Sequence, residues 1–217
     1  MHLSAKQVIR VGARSSQLSK AQVEEVFAEL TISHPHVQFD PIWLKTTGDY
    51  DLTTSLRSLE KTDFFTKELD NQLLQGEIDV AIHSAKDLPD PLPTGLKIVA
   101  LTKGVDPSDS LVFNTELPPG ALIGTSSQRR EEALLKWRSD VRCIDIRGPV
   151  DMRLMRLDKG ELDGLVIAEA ALIRLHLTHR KRIRLEGPTA FLQGRLAVVA
   201  RADNTEMEKL FAVLHQD

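Results

Sequence analysis

Apolar runs of strand length alternate along the chain with stretches whose apolar residues recur at helical spacing. Residues 8–11 read as a strand. Residues 19–30 read as a helix that turns Ala21, Val23, Val26, Phe27 and Leu30 to one side. A second strand follows at 37–44, then a helix at 64–75 with Phe64, Leu69, Leu73 and Leu74 as its apolar stripe. Short apolar strands come next at 79–83 and 97–101. The pattern then restarts with strand 122–124, helix 129–137, strand 141–146, helix 150–157 and strand 165–168. A strand at 196–200 and a helix at 206–214 close the chain and return to the first half. Strands that alternate with helices predict an α/β fold with mostly parallel sheets.

The restart carries a short internal repeat. Gly12-Ala13-Arg14-Ser15-Ser16-Gln17 follows the first strand and opens a helix, and Gly124-Thr125-Ser126-Ser127-Gln128 does the same later. Gly76-Glu77-Ile78-Asp79 links a helix to a strand, as does Gly160-Glu161-Leu162-Asp163. The first copy carries an insertion over about residues 46–63. Two similar halves predict two lobes around a cleft, with 1–99 and 190–217 forming a discontinuous first lobe and 100–189 the second. Ligands of open α/β sheets bind outside the carboxyl ends of strands, where both Ser-Ser-Gln segments fall. The proline-rich stretch Leu88-Pro89-Asp90-Pro91-Leu92-Pro93 reads as a rigid loop within a lobe.

Composition narrows the picture. The chain has 28 basic and 31 acidic residues, a formal net charge of −3, which excludes a strongly basic nucleic-acid binder. A hydrophobic share of 41% against 27% charged residues is that of a folded globular protein. One cysteine excludes an internal disulfide and a cysteine-built zinc site. No apolar run reaches the ~18 residues that cross a bilayer, and the first six residues precede no apolar signal core. The expectation is a cytoplasmic monomer with no membrane and no nucleic-acid partner. His34 with His36, and His176 with His179, are spaced too loosely to argue for a metal, so no metal site is expected.

Three clusters carry candidate chemistry. At the two helix starts, Ser16, Thr125, Ser126 and Ser127 add hydroxyls to unpaired backbone N–H groups, and Arg14, Arg129 and Arg130 add guanidinium forks suited to carboxylates or phosphates. Taken one at a time, these serines read equally well as helix caps. Arg147 ends a strand, and Arg153 lies in the first turn of the next helix, where a cation opposes the helix dipole. An anionic ligand there, or an ion pair with Asp151 or Glu169, accounts for it. Finally, His83-Ser84-Ala85-Lys86-Asp87 ends an apolar strand, where a carboxylate among cations can stabilise developing positive charge or merely order a turn. The basic run 179–184 reads as a solvated face, and Cys143 as an unreactive strand thiol.

Taken together these pieces resemble the porphobilinogen deaminase (hydroxymethylbilane synthase) family. The matching segments are Arg10-Val-Gly-Ala-Arg-Ser-Ser-Gln-Leu-Ser, Lys45-Thr-Thr-Gly-Asp, Phe65-Thr-Lys-Glu-Leu, His83-Ser-Ala-Lys-Asp-Leu-Pro, Asp106-Pro-Ser-Asp, Gly124-Thr-Ser-Ser-Gln-Arg-Arg, Arg147-Gly-Pro-Val-Asp-Met-Arg and Gln193-Gly. They run in family order over nearly the whole chain. The resemblance implies two periplasmic-binding-protein-like lobes and a transferase of tetrapyrrole (haem) biosynthesis. Such an enzyme deaminates porphobilinogen and polymerises it to the linear tetrapyrrole hydroxymethylbilane. It implies Asp87 as the catalytic carboxylate. It also implies Arg14, Ser16, Lys86, Thr125, Ser126, Ser127, Arg129, Arg130, Arg147 and Arg153 as contacts to substrate or to a dipyrromethane cofactor.

Three departures from the family pattern stand out. The family's third domain, with the cysteine that anchors dipyrromethane, has no counterpart here, and Cys143 does not match its place. The stretch Glu60-Lys61-Thr62-Asp63-Phe64-Phe65 replaces a Gly-Gly-Lys-Gly-Leu-Phe pattern, and Arg147-Gly148-Pro149 replaces Arg-Gly-Asn. They make a binding protein for pyrroles or other small polyanions the alternative to the enzyme.

Overall fold

In the computed structural model, residues 7–51, 53–54 and 63–216 are described. Lys61, Thr62 and most of the 49–63 insertion therefore lie outside the described residues.

The chain runs β1 (Gln7–Arg14), α1 (Gln17–Ser33), β2 (Val37–Leu44), α2 (Thr47–Tyr50), a 3-10 turn (Asp63–Phe65), α3 (Lys67–Gln75), β3 (Val80–Ser84), a second 3-10 turn (Ala85–Asp87) and β4 (Leu96–Leu101). It continues through β5 (Asp109–Val112), β6 (Leu122–Gly124), α4 (Gln128–Trp137), β7 (Arg142–Ile144), α5 (Val150–Asp158), β8 (Gly164–Ala168), α6 (Glu169–Arg174) and β9 (Arg182–Leu185). It closes with β10 (Leu196–Arg201), α7 (Thr205–Phe211) and a 3-10 turn (Ala212–Leu214). The fold is α/β in two compact units. Residues 7–50, 63–104 and 195–216 form the first; 105–194, with 51, 53 and 54, form the second.

Each unit holds one five-stranded mixed sheet, in the orders β2-β1-β3-β10-β4 and β7-β6-β8-β5-β9. In the first, β1 pairs parallel with β2 and β3, while β10 lies antiparallel between β3 and β4. In the second, β6 pairs parallel with β7 and β8, while β5 lies antiparallel between β8 and β9. Four strands of each sheet thus point one way. The reversed strand is β5 in the second unit, the first the chain lays down there, and β10 in the first unit, the first laid down after the chain returns to it.

The repeated motifs do the same work twice. Gly76 and Gly160 adopt φ of 72° and 73°, the left-handed conformation that ends a helix. Three residues on, Asp79 Oδ2 accepts from Arg10 N at 2.8 Å, and Asp163 Oδ2 accepts from Leu122 N at 2.7 Å. Each aspartate also donates its own N–H across, to Arg10 O and Leu122 O, both at 2.9 Å. The repeat therefore locks β3 against β1 in the first unit and β8 against β6 in the second.

Cores follow the apolar runs. The first unit's core joins Val11, Val23, Val26, Leu30, Val80, Ile82, Val198 and Phe211. The second unit's joins Leu111, Ile123, Leu134 and Val166. The central strands β8 and β10 are buried on both faces, as expected for strands covered by helices. Two details of the sequence reading change. Helix α3 starts only at Lys67, so Phe64 falls in the preceding turn, and Leu74, one position round from buried Leu73, is 45% exposed. Residues 179–184 are a solvated face only in part: His179, Lys181 and Arg184 are exposed, but the segment also runs into a strand and carries ion pairs. Arg182–Leu185 pairs with β5, and Arg180, Arg182 and Arg184 reach Asp158, Glu169 and Asp106 at 2.8, 2.7 and 2.7 Å.

Candidate functional site

In the first unit, β1 and β3 deliver their carboxyl ends to one place. Arg14 is the last residue of β1, and the turn Ala85–Asp87 follows β3 directly. The Arg14 guanidinium pairs with both carboxylate oxygens of Asp49 and lies over the Phe65 ring, 4.5 Å from its centroid. Asp49 is fixed in turn by Thr46, whose N–H and Oγ1 both donate at 3.0 Å. Burial opposes ionisation of Asp49, but the bonds from Arg14 and Thr46 outweigh it and hold the carboxyl below its ordinary range. Ser16 caps α1, its Oγ accepting from Ser19 N at 3.2 Å.

Arg14, Ser16, Gln22, His83, Ser84 and Asp87 share the wall of a cavity of about 60 Å³. Gln22 Nε2 donates to Ser84 Oγ at 2.8 Å. Burial, helped by the Arg14 charge, lowers the His83 pKa to about 4, so its imidazole is neutral. Its Nε2 is buried with no partner among the described residues. Lys86 sits in the same turn as Asp87 but does not line the cavity.

In the second unit, the candidates cluster after β6 and β7. Thr125 is buried, its N–H bound to Ile144 O at 2.9 Å and its Oγ1 accepting from Ser127 N at 3.3 Å. Ser126 Oγ exchanges hydrogen bonds with the backbone of Ile146, at 2.7 and 2.8 Å, and so straps two loops together. Ser127 caps α4 without a side-chain bond to the helix.

Arg129 and Arg130 both reach the carboxylate of buried Asp109, at 2.6 and 2.7 Å, and Gln193 Nε2 adds a bond at 2.9 Å. Burial alone would raise the Asp109 pKa; the two guanidinium groups reverse that and lower it. Arg147 Nη2 donates to Asp51 O at 2.7 Å, and Arg153 Nε to Gly148 O at 2.6 Å. Glu169 bonds instead to Arg182 and Ser110. Arg129, Arg130, Arg147 and Arg153 are thus held in place by fold contacts, the first two by the carboxylate of Asp109.

Asp49 and Asp109, which orient the arginines, were not singled out from the sequence. An aspartate in a Thr-Thr-Gly-Asp turn, or one opening an apolar run, looks like an ordinary cap. Cys143, the chain's one cysteine, is partly buried on β7 and packs beside the Leu111–Leu134 core. Among the described residues no three His, Cys, Asp or Glu side chains are grouped to hold a metal ion.

Solved structures share the fold. A periplasmic substrate-binding protein of an ABC transporter from Coxiella burnetii matches with a TM-score of 0.57 at 17% identity, over 96% of this chain and 92% of that one. Lipoprotein Tp32 from Treponema pallidum matches with 0.57 at 15%, over 96% and 90%. With its two mixed sheets, the chain is of the periplasmic-binding-protein-like α/β class.

Sequence similarity is narrower. Residues 9–209 match the family described as "Porphobilinogen deaminase, dipyromethane cofactor binding domain". The porphobilinogen deaminase of Syntrophomonas wolfei is 40% identical over 96% of this chain and 71% of its own length. That of Desulforudis audaxviator is 42% identical over 94% and 69%. A probable porphobilinogen deaminase of Chlamydia pneumoniae is 37% identical over 97% of this chain and 91% of its own length. The chain belongs to the porphobilinogen deaminase family.

Proposed function

We propose that this chain deaminates porphobilinogen and joins the resulting pyrroles into hydroxymethylbilane, with Asp87 as the catalytic carboxylate. The observation that carries the residue assignment is the Asp87 carboxylate. It lines the cavity at the ends of β1 and β3, and no hydrogen bond or ion pair engages it among the described residues. A carboxylate left free in this way can face a cation formed on the substrate. Loss of ammonia from the aminomethyl carbon leaves an azafulvenium cation. Asp87 stabilises that charge and takes up the ring proton released after each coupling.

Acidic pyrroles bring two carboxylates per ring. The guanidinium groups of Arg14, Arg129, Arg130, Arg147 and Arg153, with the Ser127 hydroxyl, are donors suited to them. Their prior contacts with Asp49, Asp109 and backbone carbonyls set the forks in place before substrate arrives, which limits the ordering entropy of binding. Thr125 and Ser126 act through the loop backbone that they brace. Lys86 adds positive charge beside Asp87.

The same donor set fits the carboxylates of dipyrromethane, and Arg130, Arg147 and Ser127 would hold it. Cys143, packed beside a sheet core, is not assigned as its anchor. When bound, dipyrromethane supplies the pyrrole carbon on which the chain grows. One cysteine in 217 residues suits a reducing, cytoplasmic setting.

The test is porphobilinogen consumption, with uroporphyrin read after acid oxidation. Asp87→Asn is expected to lower kcat by about 10²–10⁴-fold, the range of a lost general acid–base group. Arg147→Ala is expected to weaken porphobilinogen binding by about 1.5–3 kcal/mol, the range of a charged hydrogen bond. An Asp87→Asn chain as active as the parent would refute the assignment.

A further inference from the structure

Helix α3 carries two carboxylates in opposite circumstances. Glu68 Oε1 accepts from both the N–H and the Oγ1 of Thr47, at 2.8 and 2.6 Å. Thr47 opens α2, the turn whose Asp49 holds Arg14 and whose Asp49 N–H donates to Thr46 O at 2.9 Å. Glu68 therefore ties α3 to the turn that presents Arg14. Asp70 has no such partner. It is 3% exposed, and neither of its oxygens accepts a hydrogen bond among the described residues. Thr66, one helical turn earlier, is also buried, and its Oγ1 has no bond partner. Burial pushes the Asp70 carboxyl above its ordinary range. The nearby Thr66 hydroxyl opposes this without reversing it, and the charges of Asp63 and Glu68 add to it.

Cations that could offset a charge on Asp70 are engaged elsewhere. Helix α3 packs on β1, β3, β4, β10 and the turn Asp63–Phe65. From β1, Arg10 pairs with Asp79 and Arg14 with Asp49. From β4, Lys97 pairs with Glu208, and from β10, Arg201 reaches Leu73 O and Asp203. His83 on β3 is neutral above a pKa of about 4. The turn adds Asp63 and α3 itself Glu68, both of like charge, while Lys67 is exposed. A buried carboxylate without a partner is costly. The protonated carboxyl is neutral and has an O–H to give to Thr66 Oγ1.

We propose that Asp70 is a proton-operated latch: protonated, it keeps α3 seated on the first unit's sheet, and ionised, it unseats the first turns of α3, which frees Glu68 from Thr47 and slackens the turn that fixes Arg14. The folded carboxyl keeps its proton at pH values where the unfolded one has lost it. The stability it contributes is therefore full below about pH 4 and is lost as the pH rises through the folded value, the reverse of a buried neutral histidine.

Hydrogen–deuterium exchange of the full chain tests this, read by mass spectrometry from pH 5 to pH 8.5 and corrected for intrinsic exchange. Two stretches are followed, 66–75 and 44–50. In the parent both are expected to lose protection together, at least tenfold, as the pH rises, while β8 and α6 in the second unit keep theirs. In Asp70→Asn, neutral at every pH, neither stretch is expected to lose protection. Asp70→Leu, which removes the carboxyl altogether, is expected to behave in the same way and serves the comparison if the asparagine chain does not fold. In Glu68→Ala, 66–75 is expected to respond to pH as in the parent, with 44–50 unprotected throughout.

Parent protection that stays flat with pH, or an equal loss in Asp70→Asn and Asp70→Leu, overturns the latch. Protection of 44–50 that survives the loss at 66–75, or that survives Glu68→Ala, overturns its connection to Arg14. The readout needs no substrate, so failure of the latch and failure of the porphobilinogen reading are separate outcomes.

Discussion

His83 shows how burial turns one residue into a record of its surroundings. Its pKa is about 4 in the folded chain against 6.5 for the free side chain, because burial and then Arg14 disfavour the charged ring. Between those values the unfolded chain binds a proton that the folded chain does not. The stability contribution is therefore complete above pH 6.5 and falls as the pH drops toward 4. The difference amounts to roughly 3 kcal/mol at 1.36 kcal/mol per pKa unit. Denaturant unfolding at pH 7 and pH 4.5 is expected to show a smaller loss in His83→Leu than in the parent; an equal loss would show that His83 is not the group responsible. Asp109 carries the opposite charge logic. Its folded pKa lies below its ordinary value, so its stabilisation is present above about pH 4 and disappears as the pH falls through the folded value. In the sequence Arg129 and Arg130 read as candidate cations for an anionic ligand. That a buried carboxylate already binds both could not be read from it, because Asp109 lies about twenty residues earlier, on β5 rather than on α4.

At the scale of elements, the repeat was legible and its purpose was not. The Gly-Glu-Ile/Leu-Asp segments read as part of an internal repeat, with no role for the acid visible in the sequence. The paired bonds of Asp79 to β1 and of Asp163 to β6 explain why an acid recurs there. Strands β5 and β9 and helix α6 left no clear periodic signal. They are four, four and six residues long, and a short apolar run does not reveal its own conformation. Gly194 is an element boundary of another kind. It has φ of 91°, and a Cβ there would lie 2.4 Å from Val105 O. Since neither the backbone oxygen nor the left-handed conformation can yield cheaply, Gly194→Ala is expected to destabilise the chain by about 1–3 kcal/mol in denaturant unfolding. A change within a few tenths of a kcal/mol would show that the backbone there relaxes.

On the scale of the whole molecule, the decisive feature is the last strand. Strand β10 fills the slot between β3 and β4, and Leu196, Val198 and Ala200 belong to the first unit's core. Without it β3 and β4 lose a shared partner and the core loses a wall. A chain stopped after Gly194 is expected to lose the first unit's fold while residues 105–194 keep theirs. Limited proteolysis followed by mass spectrometry reads this directly: survival of fragments from 7–104 equal to the full chain would show β10 to be dispensable.

Local pattern was enough to set the α/β class, most strands and helices, and the order of the family motifs. It also picked out Arg14 and Asp87, because strand period, helix period and turn chemistry act over a few residues. Only the tertiary structure decided which acids hold which arginines, that His83 is buried with an unpaired nitrogen, and that the reversed strand of each sheet comes from the far side of a chain crossing. Those outcomes depend on contacts between residues tens of positions apart, whose closeness is produced by packing the cores and is written in no single segment.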